Sequence, residues 1–340
     1  MSTPALPATL ERWLGEHLEH RGPYSWHRLT GGNSNHTYLL EGEAARMILR
    51  RPPEALIDPS AHSVQREHRI LQALAQTDVP APRPFAFCSD LEVLGVPFLV
   101  MQYVPGHALT DTLPSEAPPQ PRAAAEVAET LVDALATLSG VDWRAVGLED
   151  FGRPDGFLAR QVGRWTRQYE RVQVRELPRF EEVARWLSDN LPEAGAPGIV
   201  HGDFHADNTL VDFRGQARVR AILDWEMATI GDPLLDLGLL LGFWGSDRRK
   251  PLSLHRTQAF SRAVGTPSRA QLADRYELTS GRSVEHLDYY MTLAFWKLAA
   301  IVEGAYANSR AGLDSTAHAR SMEHEVPRLL AEAAHFCGLD

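Results

Sequence analysis

The stretch Ile199-Val-His-Gly-Asp-Phe-His-Ala-Asp-Asn-Thr-Leu-Val-Asp212, followed by Ala221-Ile-Leu-Asp-Trp-Glu226, constrains this chain more than any other part of it. The first segment is an apolar run that breaks at His201-Gly202 and delivers Asp203. Asn208 follows, and apolar residues resume at Leu210. The second segment is another apolar run, ending in Asp224. Two short strands ending in acids, with an amide between them, make a set of hard oxygen donors. Mg²⁺ takes such donors, usually one or two carboxylates completed by substrate phosphates. An aspartate that caps a turn and an asparagine that supports a loop would account for each residue singly. They would not account for two strands aiming acids at one place, so the functional interpretation is preferred.

Composition narrows what the set can serve. At 340 residues, 44% hydrophobic and 23% charged, the chain has ample material for a core and for two domains. A net charge of −10 argues against a broad nucleic-acid face. The two cysteines, Cys88 and Cys337, lack metal-ligand spacing and suit a reducing compartment. The first residues carry no basic segment followed by an apolar one, and the longest apolar run, Pro233 to Trp244, is interrupted by Asp236. These features predict a soluble, cytoplasmic protein with no membrane partner. Nothing in the sequence bears on oligomeric state. Lysine occurs only at Lys250 and Lys297, so a mechanism needing an N-terminal lysine has none to use.

Periodicity divides the chain. A helix over 8–19 is followed by strands at 26–29, 37–40 and 47–50, with Thr30-Gly-Gly-Asn-Ser-Asn35 at the hairpin tip. A helix over 61–76 presents Val64, His68, Leu71 and Leu74 on one face, and strands at 84–88 and 96–103 follow. Val104-Pro-Gly-His107 is the candidate linker. Beyond it helices are expected at 121–139, 155–172, 179–190, 233–244, 256–264, 284–304 and 318–336, with the acidic strands at 199–225 between them. The expected class is α+β in two lobes, a β-rich one over 1–103 and a mostly helical one over 104–340.

Further residues join the set. Gly31 and Gly32 let backbone amides approach an anion closely, and Asn33, Ser34 and Asn35 add donors. Arg50 ends a strand and Glu67 sits in the next helix, a pairing that clamps nucleotide phosphates in kinase-like folds. Taken singly, a glycine pair is an ordinary turn and Arg50 and Glu67 are two solvated charges.

Together these motifs resemble the aminoglycoside phosphotransferase family, a branch of the bilobal protein-kinase-like fold that includes choline and homoserine kinases. Leu29–Tyr38, Ile48–Pro53 and Leu223–Pro233 resemble the subgroup found fused to, or near, acyl-CoA dehydrogenases. The resemblance spans about residues 25–305 and implies an ATP- and Mg²⁺-dependent small-molecule kinase. Asp203 then matches the aspartate that orients the acceptor hydroxyl and takes its proton, and Asn208 and Asp224 match the metal ligands. Arg50 stands where the family usually has a phosphate-pairing lysine, with Glu67 as its partner. The Gly31–Asn35 tip would cover the phosphates, and the backbone of Gln102, Tyr103 and Val104 would meet the adenine at the inter-lobe hinge.

Arginine keeps the charge and a bidentate grip, with different geometry from lysine. His201 is expected to support the catalytic loop, and Asp236 to cap or anchor it. Glu226 is a second-layer or substrate contact, and His205 has no assigned position. Trp296 and Tyr306 are core residues or part of the acceptor surface. The acceptor is a small-molecule hydroxyl: a hydroxy acid or hydroxyacyl-CoA by subgroup likeness, alternatively an aminoglycoside or a choline-type alcohol. A non-catalytic nucleotide-binding or scaffold module is the alternative of another class.

Overall fold

A computed structural model describes residues 6–19, 22–29, 35–43, 45–53, 63–245, 254, 256–314 and 316–339. The chain forms two compact units: residues 1–106 with Arg220–Ala228, and His107–Val219 with Thr229–Asp340.

The first unit begins with α1 (Ala8–His17), β1 (Ser25–Arg28), β2 (His36–Glu41), β3 (Arg46–Arg51) and α2 (Val64–Leu74). It continues with β4 (Pro84–Cys88), α3 (Leu91–Leu94) and β5 (Phe98–Gln102). The strands make one antiparallel sheet in the order β1-β2-β3-β5-β4. Helix α1 buries Leu10, Trp13 and Leu14, the i, i+3, i+4 stripe of an amphipathic helix, in a core that includes Leu40, Leu49, Phe98 and Val100. Trp13 meets Phe98 edge-on, with ring centroids 4.8 Å apart.

Helix α2 starts at Ser63, whose side chain accepts the Arg66 N–H. Its buried face is Val64, Glu67, Ile70, Leu71 and Leu74, so Glu67 and Ile70 lie on it and the expected face is corrected. Glu67 meets Arg50 as the sequence pairing expected, and that ion pair makes its burial tolerable.

Segment Arg220–Ala228 is tied into this unit at both ends. Ile222 N–H donates to the Pro80 carbonyl at 2.7 Å, and the Arg66 guanidinium holds the Ala228 carbonyl at 3.0 and 3.2 Å.

The second unit contains β6 (His107–Ala108), α4 (Arg122–Ser139), α5 (Phe157–Val172), α6 (Pro178–Asp189), β7 (Gly198–Val200) and β8 (Thr209–Asp212). Strand β9 (Arg218–Ile222) carries the chain across the division of units. Then come β10 (Thr229–Gly231), α7 (Leu234–Gly242), α8 (Arg269–Ser280), α9 (Leu287–Arg310) and α10 (Ala317–Phe336).

Helix α7 is apolar but for Asp236, and every residue of it is buried, as befits a central core helix. Glycine lets α9 pack against it closely: a Cβ at Gly238 would fall 2.6 Å from the Tyr290 backbone, and one at Gly242 2.3 Å from the Phe295 ring. Strand β7 pairs antiparallel with β10, and β8 with β6.

The α+β class therefore holds, with a sheet-based first unit and a largely helical second one. Two expectations change. Residues 256–264 form only a short 3₁₀ turn, Ala259–Arg262, because Gly265 at φ +88° and Pro267 follow at once. Helix α8 had no strong apolar period, since it buries only Leu272, Ala273 and Tyr276. The Ser268/Gln271 capping box that starts it was the available signal.

Candidate active site

In the second unit, β7 feeds His201, Gly202 and Asp203. Gly202 has φ +88°, a conformation glycine adopts without a Cβ penalty. The turn is fastened through its backbone. Buried Asp236 on α7 accepts the His201 N–H at 2.6 Å and the Gly202 N–H at 2.8 Å. Lys297 on α9, also buried, donates to the Gly202 carbonyl at 2.7 Å. The Asp203 N–H donates to His201 Nδ1 at 3.3 Å.

A 3₁₀ turn, Ala206–Asn208, then folds back, held by the Gln258 side chain, which accepts the Ala206 N–H at 2.9 Å. Asn208 Nδ2 donates to both the carbonyl and Oδ2 of Asp203, each at 2.9 Å.

The Asp203 side chain keeps 37% of its surface exposed, so the carboxylate remains accessible. Burial pushes its carboxyl up, but His205, and further off His201 and Lys297, outweigh burial and hold it well below the usual range. Burial lowers His205 in turn. Asp203 and Asp207, each 3.6 Å from one of its ring nitrogens, reverse that and push it up to about 10. His205 thus sits between two carboxylates, edge-on to Phe243.

In the first unit, β9 runs into Asp224, held at φ +65°, a strained conformation for a residue with a side chain. The 3₁₀ turn Trp225–Met227 follows, with Trp225 fully buried and its indole N–H donating to the Ile222 carbonyl at 2.8 Å. Arg50, only 7% exposed, reaches out from β3. Its guanidinium donates to Glu67 at 2.9 Å and to Asp224, and lies 3.9 Å from Glu226. Asn35 donates to Glu226 at 3.0 Å, while its own Oδ1 is buried without a hydrogen-bond partner.

Three carboxylates therefore share one guanidinium. Burial alone would lower the Arg50 pKa; the three acids raise it, so the guanidinium stays charged. Burial, aided by Asp224 and Glu226, pushes Glu67 up to about 7 against the pull of Arg50.

The remaining residues fall as follows. Gly31, Gly32, Asn33 and Ser34 lie outside the described residues. Gln102 ends β5 with its N–H donated to the Arg83 carbonyl at 2.8 Å. Tyr103 follows beneath the Arg46 guanidinium, 5.9 Å from its ring centroid, and Val104 is half-buried. Trp296 is fully buried, stacks on Phe180 and donates its indole N–H to the Phe180 carbonyl at 2.9 Å, so it supports the core. Tyr306 is nearly buried beneath Arg175, which makes a two-pronged ion pair with buried Glu303. Lys297 was missed as a contributor to the turn; its one sequence signal was the rarity of lysine.

The donor chemistry fits a divalent cation. Asn208 commits its Nδ2 to Asp203, which leaves its amide oxygen as the atom that could meet a cation. Asp224 belongs to a group in which three carboxyl groups share one guanidinium, and the buried Asn35 Oδ1 in that group is without a partner. Among the described residues no three His, Cys, Asp or Glu side chains form a closed metal cage.

A sheet-based unit, a helical unit and a His-Gly-Asp-x₄-Asn turn with a distant aspartate define the bilobal, kinase-like class of phosphotransferases. The chain belongs to the phosphotransferase enzyme family, whose profile matches residues 25–273.

Among relatives, it is 34% identical over 336 residues to acyl-CoA dehydrogenase family member 11 of Gallus gallus, covering 96% of this chain and 42% of that protein. The chain thus spans about two fifths of the length of that relative. Among solved structures, a Ralstonia eutropha protein provisionally named an aminoglycoside phosphotransferase superposes with a TM-score of 0.80 at 28% identity, covering 97% of this chain and 98% of that one. The aminoglycoside phosphotransferase APH(4)-Ia, solved with AMP-PNP and hygromycin B, shares the fold at a TM-score of 0.59 and 14% identity, covering 96% of this chain and 99% of that one.

Proposed function

We propose that this chain transfers the γ-phosphate of ATP to a hydroxyl group of a hydroxy acid or hydroxyacyl-CoA. The observation that carries the proposal is the Asp203 carboxylate, ionised, accessible and presented on a turn fastened through its backbone. Phosphoryl transfer asks the protein chiefly for positioning and charge neutralisation. Asp203 orients the acceptor hydroxyl and receives its proton. Asn208 and Asp224 each offer an oxygen to Mg²⁺, which would neutralise phosphate charge when bound.

Arg50, braced by Glu67, contacts phosphate oxygens in place of the family's lysine. The Gly31–Asn35 backbone covers the phosphates, and the Gln102–Val104 strand end receives the adenine. Glu226 and Asn35 support the Asp224 turn, and His201 and His205 support the Asp203 turn. An acyl-CoA-type acceptor is supported by the acyl-CoA dehydrogenase name of the longer relative. That the chain acts in the cytoplasm remains part of the same proposal.

The test is ADP release from MgATP across hydroxyacyl-CoAs, hydroxy acids, choline-like alcohols and aminoglycosides. Turnover with the first two classes is expected. Turnover with aminoglycosides or choline alone would overturn the acceptor. Nucleotide binding with no turnover on any of the four would point to a binding module.

A further inference from the structure

We infer that Lys297 is a positioning residue for the transfer step, holding the peptide that leads into Asp203 by its carbonyl while His201 holds the same peptide by its N–H. The inference rests on the proposed role of Asp203. A buried ammonium is costly, and a structural helix face has no need of one. Around Lys297, α9 buries Phe295, Trp296, Ala299 and Ala300, so a methionine or leucine would fill the same space.

What Lys297 touches explains its presence. Its Nζ lies 2.7 Å from the Gly202 carbonyl and 5.5 Å from the Trp165 ring centroid. Among the described residues no carboxylate lies within ion-pair distance of it. Asp203 and Asp236 attract it from further off and Arg164 repels it.

The geometry is specific to the turn. Gly202 has no side chain to fix its orientation and sits at φ +88°. The peptide before it is held by Asp236 through the Gly202 N–H, and Asp236 also takes the His201 N–H. The peptide after it is held by Lys297 at the carbonyl and by His201 at the N–H. Helices α7 and α9 supply these two anchors, and the glycines of α7 keep the helices in close register. Remove the ammonium, and the Gly202 carbonyl becomes a buried acceptor without a charged donor. The 202–203 peptide can then rotate, and the Asp203 carboxylate loses its aim. A misplacement of about 1 Å is enough to cost ~100-fold in rate.

The test uses the full chain with Lys297→Met, Lys297→Gln and Lys297→Arg. ADP release is read with the best acceptor, or with water as acceptor if none turns over. Amide hydrogen exchange is read over residues 199–208. In Lys297→Met, kcat should fall by roughly 10- to 100-fold with KM for MgATP within about twofold of wild type. Exchange over 199–208 should accelerate about tenfold or more while α10 stays protected. Lys297→Arg should recover part of kcat, because its guanidinium can donate to the same carbonyl. Lys297→Gln, which keeps a neutral donor, serves if the methionine variant does not fold.

Wild-type kcat and exchange in Lys297→Met would overturn the inference. So would a loss of activity that tracks global melting, with no recovery in the arginine variant. An Asp203→Asn protein that keeps full turnover would instead sink the role of Asp203, whatever Lys297 does.

Discussion

The carboxylates of Asp203 and Asp224 are held in different ways. The Asp203 turn is fastened through its backbone: Asp236 takes two amides, Lys297 a carbonyl, and His201 the Asp203 N–H. Its carboxylate meets Asn208 and lies near His205, and more than a third of its surface stays open. The Asp224 segment is tied through its backbone at Ile222 and Ala228, but its two acids are themselves held, sharing Arg50 with Glu67. Backbone fastening leaves a side chain free to meet a substrate in a fixed direction. Side-chain fastening leaves charge partners that can be exchanged when a phosphate or a cation arrives. The first design suits an acid–base group, which needs aim; the second suits a ligand site, which needs charge.

Variants can break the comparison. Asp224→Ala removes the donor proposed for the cation, and kcat should drop by about 1,000-fold or more in ADP release, with the fold retained by circular dichroism. Asp236→Ala strips two charge-assisted hydrogen bonds from the other turn and leaves two buried N–H groups without an acceptor. A loss of roughly 2–4 kcal/mol in urea unfolding is expected, together with a large fall in kcat.

Arg50→Ala leaves three carboxylates without their cation and should cost about 3–5 kcal/mol of stability, read by the same unfolding curve. Arg50→Lys keeps the charge but has one prong, so it should raise KM for MgATP more than it lowers stability. If Arg50→Ala were as stable as wild type, the account of the second turn would be wrong.

A smaller effect concerns pH. Burial pulls the Lys297 pKa from 10.5 to about 8. Across that window the unfolded chain holds a proton that the folded chain has released, so the Lys297 contribution to stability rises with pH. The cost of the buried charge is fully present below about 8. The stability of wild type relative to Lys297→Met, from urea unfolding at pH 7.5 to 10, should therefore increase with pH. A flat or falling difference would contradict the environment described for Lys297.

Much of this was legible in the sequence, and for a physical reason. Helices α1, α4, α6 and α10 announce themselves by period, because one face of each is buried, while β3 and β5 show as short apolar runs buried on both faces. Asp203, Asn208 and Asp224 stood out in the sequence as acids and an amide at apolar strand ends, and the structure sets Asn208 against Asp203.

What periodicity could not supply was the partner of a buried charge. Glu67 was paired with Arg50 through the resemblance, but its burial on α2 emerges only from the fold, where Arg50 on β3 meets it. Lys297 looked like a stray lysine, and its partner is a backbone carbonyl 95 residues away. Asp236 stood out as an acid within an apolar run, yet only the fold reveals that it takes the amides of His201 and Gly202. Helix α8 escaped because its start is marked by a capping box and its burial by only three residues.

The most direct measurement of the central claim is phosphate incorporation from MgATP into a hydroxyacyl-CoA, followed by mass spectrometry for the wild-type chain and for Asp203→Asn. The account predicts one phosphate added per acceptor by the wild type and a rate lower by about 100- to 10,000-fold in the variant, with MgATP binding preserved. Equal rates in the two proteins would contradict it.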